Sequence, residues 1–256
     1  MLLAIDIGNT NVVIGCLDEQ NRVTKLFRMV TDLKKTEDEY AAGMKIILDH
    51  NGVDCAQFEG AIICSVVPPL TEIFRTAAQQ LVGSRPVVLG AGVKTGLNIM
   101  IENPASLGSD IVAASVAAMQ DYPLPVIVVD MGTATTITVV DKGNRFIGGA
   151  IAPGVALSMN ALSTGTSLLQ KVPIEAPKKS IIGTTTESMQ SGAVFGNAAM
   201  LDGMIARFEE ELGCTASVVA TGGIAAKIVP HCKREIAYEE DLLLKGLGII
   251  YRKNKK

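Results

Sequence analysis

Apolar runs alternate with polar, glycine-bearing turns from the first residues onward. Leu2–Ile7 is apolar apart from Asp6, and Asp6-Ile7-Gly8-Asn9-Thr10-Asn11 leads into a second apolar run, Val12–Leu17. The pattern predicts strand, polar turn, strand, with Arg22–Thr31 as a third strand. Glu37–His50 sets Tyr40, Met44, Ile47 and Leu48 on one helical face. Gly60–Val67 reads as a buried strand closed by Pro68-Pro69, Thr71–Leu81 as a helix, and Pro86–Leu89 as a short strand. Leu107–Gln120 is a helix of small apolar residues. In the second half, Val126–Val129, Ile137–Asp141 and Arg145–Ile151 read as strands, with a turn at Lys142-Gly143-Asn144. Thr186–Leu212 reads as one long helical stretch, Val218–Ala220 as a buried strand meeting Thr221-Gly222-Gly223, and Leu242–Tyr251 as a closing helix.

The second half repeats the first. Ala4–Val13 lies over Val128–Ile137, and both copies read apolar strand, Asp-x-Gly, hydroxyl or amide residues, apolar strand. Asp130-Met131-Gly132-Thr133 is thus the counterpart of Asp6-Ile7-Gly8-Asn9. The spacing is near half the chain, so two related α/β domains facing a cleft are expected. The boundary falls near Asp121-Tyr122-Pro123, where Pro123 and Pro125 break the helix.

Composition narrows the class. A length of 256 residues suits one large or two small domains. With 48% hydrophobic and 19% charged residues, the chain is not disordered. Ten aromatic residues and no Trp leave an aliphatic core, which suits α/β layers. The net charge of −3 gives no basic arm for nucleic acid and no polybasic membrane patch. No apolar run reaches the length of a membrane span, and Asp6 interrupts any signal-like start. Five Cys with no CxxC pair point away from a disulfide framework or a zinc site, and the expected setting is the cytoplasm. Two His, His50 and His231, leave little for a His-based triad.

The candidate chemistry lies in the turns. Gly8 allows backbone N–H groups to approach a ligand, and Asn9, Thr10 and Asn11 add neutral donors suited to phosphate oxygens. Asp6 at the strand end would repel phosphate unless a cation sits between them. A plain hairpin turn also explains one such segment, but two copies at equivalent places favour a binding loop. Neither a P-loop nor a strand-coupled GxGxxG is present. Asp110 falls in the first turns of a helix that Asn103 or Ser106 would cap. Two readings are open for it: a carboxylate favoured by the helix dipole, or a general base for a substrate hydroxyl. The paired glycines of Thr221-Gly222-Gly223 end a strand, either as a simple turn or as a shelf for a purine ring. The basic residues Arg252, Lys253, Lys255 and Lys256 read as a frayed, solvated tail.

Together the duplicated hairpins and Thr221-Gly222-Gly223 resemble the acetate kinase, sugar kinase, Hsp70 and actin superfamily. Within it the chain resembles the type III pantothenate kinase family along nearly its full length. The matching segments include Asp6–Asn11, Thr36–Tyr40, Ser65–Pro69, Gly92–Leu97, Asn103-Pro104 and Gly108–Asp110. They continue through Asp130–Thr136, Gly148–Gly154, Ser188–Gly192, Ala220–Gly223 and Leu244–Leu247. The resemblance implies two duplicated ribonuclease H-like (actin-like ATPase) domains, residues 1–121 and 122–256, facing a central cleft.

The implied activity is ATP-dependent phosphorylation of pantothenate to 4'-phosphopantothenate, the first step of coenzyme A biosynthesis. By resemblance, Asp6, Ile7, Gly8, Asn9, Thr10, Asn11, Val12 and Val13 form the ATP phosphate loop, with Asp6 holding Mg²⁺ through water. Thr133 contacts ATP, Asp130 binds a monovalent cation (K⁺ or NH₄⁺), and Asp110 accepts the proton. Gly108, Ser109, Asp110, Ile111 and Thr185 line the pantothenate site, completed near the interface of a homodimer. Four departures fall on the acceptor side. The usual Gly-x-Asp-Arg ends in Ile111, a usual Tyr is Ile101, Gly183-Thr184-Thr185 is one residue short, and an Arg near Gly165 is missing. Two alternatives therefore stand beside pantothenate: another small hydroxylated acid as acceptor, or a non-catalytic regulatory relative.

Overall fold

The computed structural model describes residues 1–255. In chain order, three antiparallel strands come first: β1 (Leu2–Ile7), β2 (Asn11–Leu17) and β3 (Val23–Val30). Then follow α1 (Glu37–His50), β4 (Gly60–Ser65), α2 (Pro68–Val82), β5 (Val87–Val88), β6 (Asn98–Ile99) and α3 (Ser109–Asp121). The second half carries β7 (Val126–Met131), β8 (Ala134–Val140), β9 (Arg145–Pro153), α4 (Val155–Gly165), α5 (Thr185–Ser191) and α6 (Asn197–Leu212). It ends with β10 (Ser217–Thr221), α7 (Ala225–Ile228), β11 (Ala237–Tyr238) and α8 (Leu242–Asn254). The first sheet runs β3-β2-β1-β4-β5, and the second runs β9-β8-β7-β10-β11 with β6 added beside β9. In each sheet a meander of three strands is extended by parallel strands reached through helices, so each unit has the ribonuclease H-like order.

The duplication extends further than the sequence overlay. β3 and β9 pair with their neighbours through a bulge at the same place, between Cys16 and Leu17 and between Val139 and Val140. The turns that follow match atom for atom. Asp18 Oδ1 accepts from the N–H of Gln20 and Arg22, while Asp141 Oδ1 accepts from the N–H of Gly143 and Arg145. The arginine Nε donates to the same aspartate's Oδ2 at 2.7 Å in both copies. Asn21 and Asn144 take the left-handed conformation, φ 61° and 57°, which Asn tolerates better than most side chains. Asp-x-x-Asn-Arg is thus a second repeat. The overlay corrects by one residue between the two: Gly8 N–H bonds to Asn11 O, but Gly132 N–H bonds to Ala134 O. The second hairpin loop is one residue shorter, so Thr133 is the counterpart of Thr10.

The chain divides into two compact units. Unit 1 holds Met1–Leu97, Glu102–Gln120 and the segment from Asp241; unit 2 holds Asn98–Ile101 and Asp121–Glu240. This differs from a single cut after residue 121 in two places. The closing helix α8 belongs with unit 1 because it packs there: a Cβ at Gly246 would lie 1.8 Å from Ala113 O, and one at Gly15 2.8 Å from Leu244 Cδ1. The basic tail is correspondingly tied down as far as Lys255; Lys256 lies outside the described residues. Arg252 donates to Asn21 Oδ1 and Asp18 O, Lys253 to Thr95 O, and Lys255 pairs with Glu59. Residues 98–101 join unit 2 because β6 adds a parallel rung to β9, with Asn98 N–H on Asn144 O at 3.0 Å.

Strand alternation assigns the faces. In unit 1, Leu3, Ile5 and Ile7 pack under α1 and α2 with Tyr40, Met44, Leu70 and Phe74, so Leu2, Ala4 and Asp6 face the other way. In unit 2, Ile127, Val129 and Met131 pack with residues of α4, α5 and α6, so Asp130 lies on the opposite face. The long helix expected over Thr186–Leu212 is interrupted. A π turn at Gly192–Gly196 separates α5 from α6, and Asn197 Nδ2 takes the carbonyl of Ala193 at 2.8 Å. Glycines at both ends of the turn weaken the helix there. α4 was not anticipated; its apolar positions Val155, Met159 and Leu162 follow Pro153-Gly154 closely.

Candidate active site

In unit 1 the first hairpin loop is a polar, exposed tip on buried strands. Ile7 and Val12 are buried in the core, so of the expected ATP-loop residues these two offer only backbone. Gly8 is half-buried, and Asn9, Thr10 and Asn11 are exposed. A Cβ at Gly8 would sit 3.0 Å from Asn11 O, which explains a glycine there. Thr31 braces the loop from β3's end: its N–H bonds to Thr10 O at 3.1 Å and its Oγ1 donates to Gly8 O at 2.6 Å.

Asp6 is joined to Asp110 through β4. Asp6 and Cys64 are register partners on neighbouring parallel strands, so their side chains stand side by side on one face. Cys64 Sγ lies 3.2 Å from Ser109 Oγ, at the start of α3. Burial, and then the Asp6 carboxylate, push the Cys64 thiol well above its usual range, with the Asp110 charge adding in the same direction. It is a neutral packing group between two acids. α3 begins at Ser109, not after Asn103 or Ser106. Those two close a separate short turn, in which Ser106 Oγ donates to Asn103 O at 2.7 Å.

Asp110 sits in the first turn of α3, where the helix N–H groups favour a carboxylate. Its Oδ1 accepts from Ile111 N–H at 2.8 Å. Burial pushes its carboxyl above the ordinary carboxylate range, against the lowering effect of the N–H groups of Ile111 and Asp110. Gly108 is needed beside it, since a Cβ there would lie 2.3 Å from Asp110 Oδ1. Ile111 is half-buried and contributes its N–H to this arrangement.

In unit 2 the second hairpin repeats the theme with Thr133 exposed and its carbonyl taken by Gly154 N–H. Gly222 lies next to Asp130: a Cβ there would be 2.7 Å from Met131 O and 3.0 Å from Asp130 Oδ1, and its φ is +96°. The glycine therefore lets its turn pass close against the Met131 carbonyl and the Asp130 carboxylate, where a side chain would not fit. Thr185 is placed elsewhere. Thr184 caps α5 through its side chain, and Thr185 lines a cavity of about 370 Å³ with Ser158, Met159, Ser188, Met189 and Asn197. The cavity lies on the helix side of the sheet, opposite the face that carries Asp130. Sequence reasoning missed Cys64 and the cavity-lining residues of α4. The contacts of Cys64 join segments far apart in the chain, which no local pattern reveals.

Two ribonuclease H-like units, each opening on an Asp-x-Gly hairpin, define the chain as an actin-like ATPase-fold protein. Two solved structures share the fold. A protein described as a Baf family transcriptional activator from Campylobacter jejuni superposes with TM-score 0.63 at 19% identity, over 98% of both chains. A ROK family glucokinase from Streptomyces griseus, crystallised with glucose and AMPPNP, gives TM-score 0.57 at 13% identity, over 97% of both. Sequence takes the assignment further. A family model for type III pantothenate kinase matches residues 2–207, and a type III pantothenate kinase of an Exiguobacterium species is 41% identical over 256 residues, 100% of each chain. The chain belongs to the type III pantothenate kinase family.

Proposed function

We propose that the protein transfers the terminal phosphoryl group of ATP to the primary hydroxyl of pantothenate, with Asp110 as proton acceptor. The observation that carries this reading is the setting of Asp110. It is a half-buried carboxylate at a helix start, joined through Cys64 and Ser109 to the strand beside Asp6. Among the described residues no other side chain donates to it, so a carboxylate oxygen is left for an acceptor hydroxyl. Phosphoryl transfer depends mainly on positioning and charge neutralisation. The Asp6–Val13 loop offers backbone N–H groups and the side chains of Asn9, Thr10 and Asn11 to phosphate oxygens, and Thr133 offers the equivalent loop of unit 2. Asp110 orients the hydroxyl and takes its proton as the oxygen bonds to phosphorus.

The donor chemistry at Asp6 fits magnesium, a hard cation that takes one or two carboxylates and fills its shell with water and phosphate oxygens. When bound it neutralises phosphate charge. The Asp130 carboxylate and the neighbouring Met131 carbonyl are oxygen donors of the kind that suit a monovalent cation such as K⁺ or NH₄⁺. Gly108, Ser109, Ile111 and Thr185 belong to the acceptor side. A homodimer agrees with the exposed apolar side chains of unit 2, among them Ile151 (76% exposed), Leu168 (88%) and Ile181 (93%), which a second copy would cover. The setting is the cytoplasm, which five unpaired thiols support. Among the described residues no helix is long and apolar enough to cross a membrane.

The test is ADP release with Mg-ATP and pantothenate in K⁺ or NH₄⁺ against Na⁺ alone. Turnover that needs pantothenate and rises with K⁺ or NH₄⁺ is the expected result; a better small hydroxylated acid in a panel would replace pantothenate as acceptor. That second reading is favoured by Ile111, which puts an apolar side chain directly after Asp110. Gly108→Ala is expected to leave the fold intact, because the obstructed atom is the end of a side chain. It displaces the carboxylate, so kcat should fall by about 10- to 100-fold, the scale of a misplaced catalytic group. Steady-state kinetics beside a thermal melt checks both halves of that expectation.

A further inference from the structure

A base works only if its carboxylate is held in register with the phosphate-binding loop. We propose that Ser109 is the positioning residue that sets this register: its hydroxyl pins the first turn of α3, and with it Asp110, to the end of β4 beside Asp6. The proposal rests on the reading of Asp110 as the base.

Ser109 Oγ donates to Ser65 O at 3.0 Å, accepts from Ser65 N–H at 3.2 Å, and lies 3.2 Å from Cys64 Sγ. A hydroxyl has one donor and two acceptor sites. These three contacts use all of them, so the side chain has nothing left for a ligand and meets an acceptor only through its backbone. A serine at the cap position just before a helix turns its oxygen onto that helix's N–H groups, but Ser109 is the first residue within α3. Here the oxygen grips the strand instead, and at both polar groups of one residue, which fixes orientation as well as distance.

The strand it grips is the one that bears on Asp6. β4 pairs with β1 in parallel, Cys64 opposite Asp6 and Ser65 opposite Ile7, and Val66 N–H bonds to Ile7 O at 3.1 Å. From Ser109 to Asp6 there is thus a single rung of sheet. The neutral Cys64 thiol fills the third side of the clasp, and Ser65 Oγ is itself held by Thr71 Oγ1 at 2.9 Å. Asp110 contributes nothing to the clasp, since its one hydrogen-bonded oxygen faces Ile111 N–H. Among the described residues, the hydrogen bonds between the start of α3 and β4 all run through the serine hydroxyl.

The experiment compares full-length Ser109→Ala and Ser109→Thr with wild type, reading ADP release with pantothenate and a thermal melt. Ser109→Ala should lower kcat about tenfold, the effect of a small displacement of a reacting group. Its KM for ATP should stay within about twofold, since uniform binding of the nucleotide is untouched. Ser109→Thr keeps the hydroxyl and should recover most of the rate. Tyr251→Phe serves as the stability control, because it removes a hydrogen bond to Glu59 O just before the opposite end of the same strand. It should melt lower and keep wild-type kcat. A wild-type kcat in Ser109→Ala overturns the proposal, and so does an equal rate loss in Tyr251→Phe. Should Ser109→Ala not fold, Ser109→Cys, which keeps a weaker donor, is read in the same way. Asp110→Asn is assayed beside them. If it keeps turnover, the base reading fails and takes this proposal with it. If Asp110→Asn is inactive while Ser109→Ala matches wild type, only the role of Ser109 fails.

Discussion

Asp110→Asn lowers kcat by at least ~10²-fold, the usual lower size of a general-base contribution, while ATP binding is retained. The residue's setting sharpens the expectation in two further ways. Burial raises its carboxyl above the ordinary range. The base must be ionised to act, so the acid limb of kcat/KM in the wild type should lie above the value of about 3.9 for a free aspartate. Activity is lost as pH falls through that limb. The linkage to stability has the opposite sense to that of a salt-bridged acid. A raised pKa in the folded state means that the folded protein binds the proton more tightly, so stability falls as pH rises past the unfolded value and on through the folded one. At neutral pH the half-buried charge therefore costs stability, and a neutral asparagine relieves it. Asp110→Asn should melt no lower than wild type at neutral pH. A variant that loses both rate and stability would mean that the carboxylate is a structural group.

Gly246→Ala destabilises unit 1 by roughly 3 kcal/mol, the upper range for overpacking a well-filled interior. The added Cβ would sit 1.8 Å from Ala113 O and 2.6 Å from Ala113 C, so backbone and not a flexible side-chain end must give way. α8 and α3 approach this closely because both present small residues at the crossing, Gly246 on one and Ala113 on the other. Separating them shifts α3, which carries Ser109 and Asp110 at its start. Denaturant unfolding should therefore show a lower midpoint, with kcat reduced in the fraction that remains folded. An unfolding free energy within about 0.5 kcal/mol of wild type, the range of an ordinary surface substitution, would mean that the two helices do not pack in this way.

The strands were legible where they are buried on both faces. β1, β7 and β10 read as apolar runs because neither face meets water. β8 was read three residues short, because its first positions, Ala134, Thr135 and Thr136, are small or polar and look like loop. The repeat was legible as Asp-x-Gly, yet a gapless overlay hid the matching Asp-x-x-Asn-Arg turns, since the second loop lacks one residue. The basic C-terminus looked like a solvated tail because its partners Asp18, Asn21, Glu59 and Thr95 lie far back in the chain. Thr185 enters only through the family resemblance, whereas Asp6, Asp110 and Asp130 stand out by residue type and by their place in the pattern. The clasp of Ser109 on Ser65 and Cys64 does not, because a hydrogen bond between residues 44 or 45 positions apart leaves no periodicity to read. The π turn that divides α5 from α6 was equally hidden, since the apolar spacing continues through it.

The most direct test of the central claim is product analysis: mass spectrometry of pantothenate after incubation with the purified protein, Mg-ATP and K⁺, with ADP counted in parallel. The expected result is pantothenate gaining one phosphate for each ADP formed, and no such product from Asp110→Asn. ADP release without phosphorylated pantothenate, or equal product from Asp110→Asn, would contradict it.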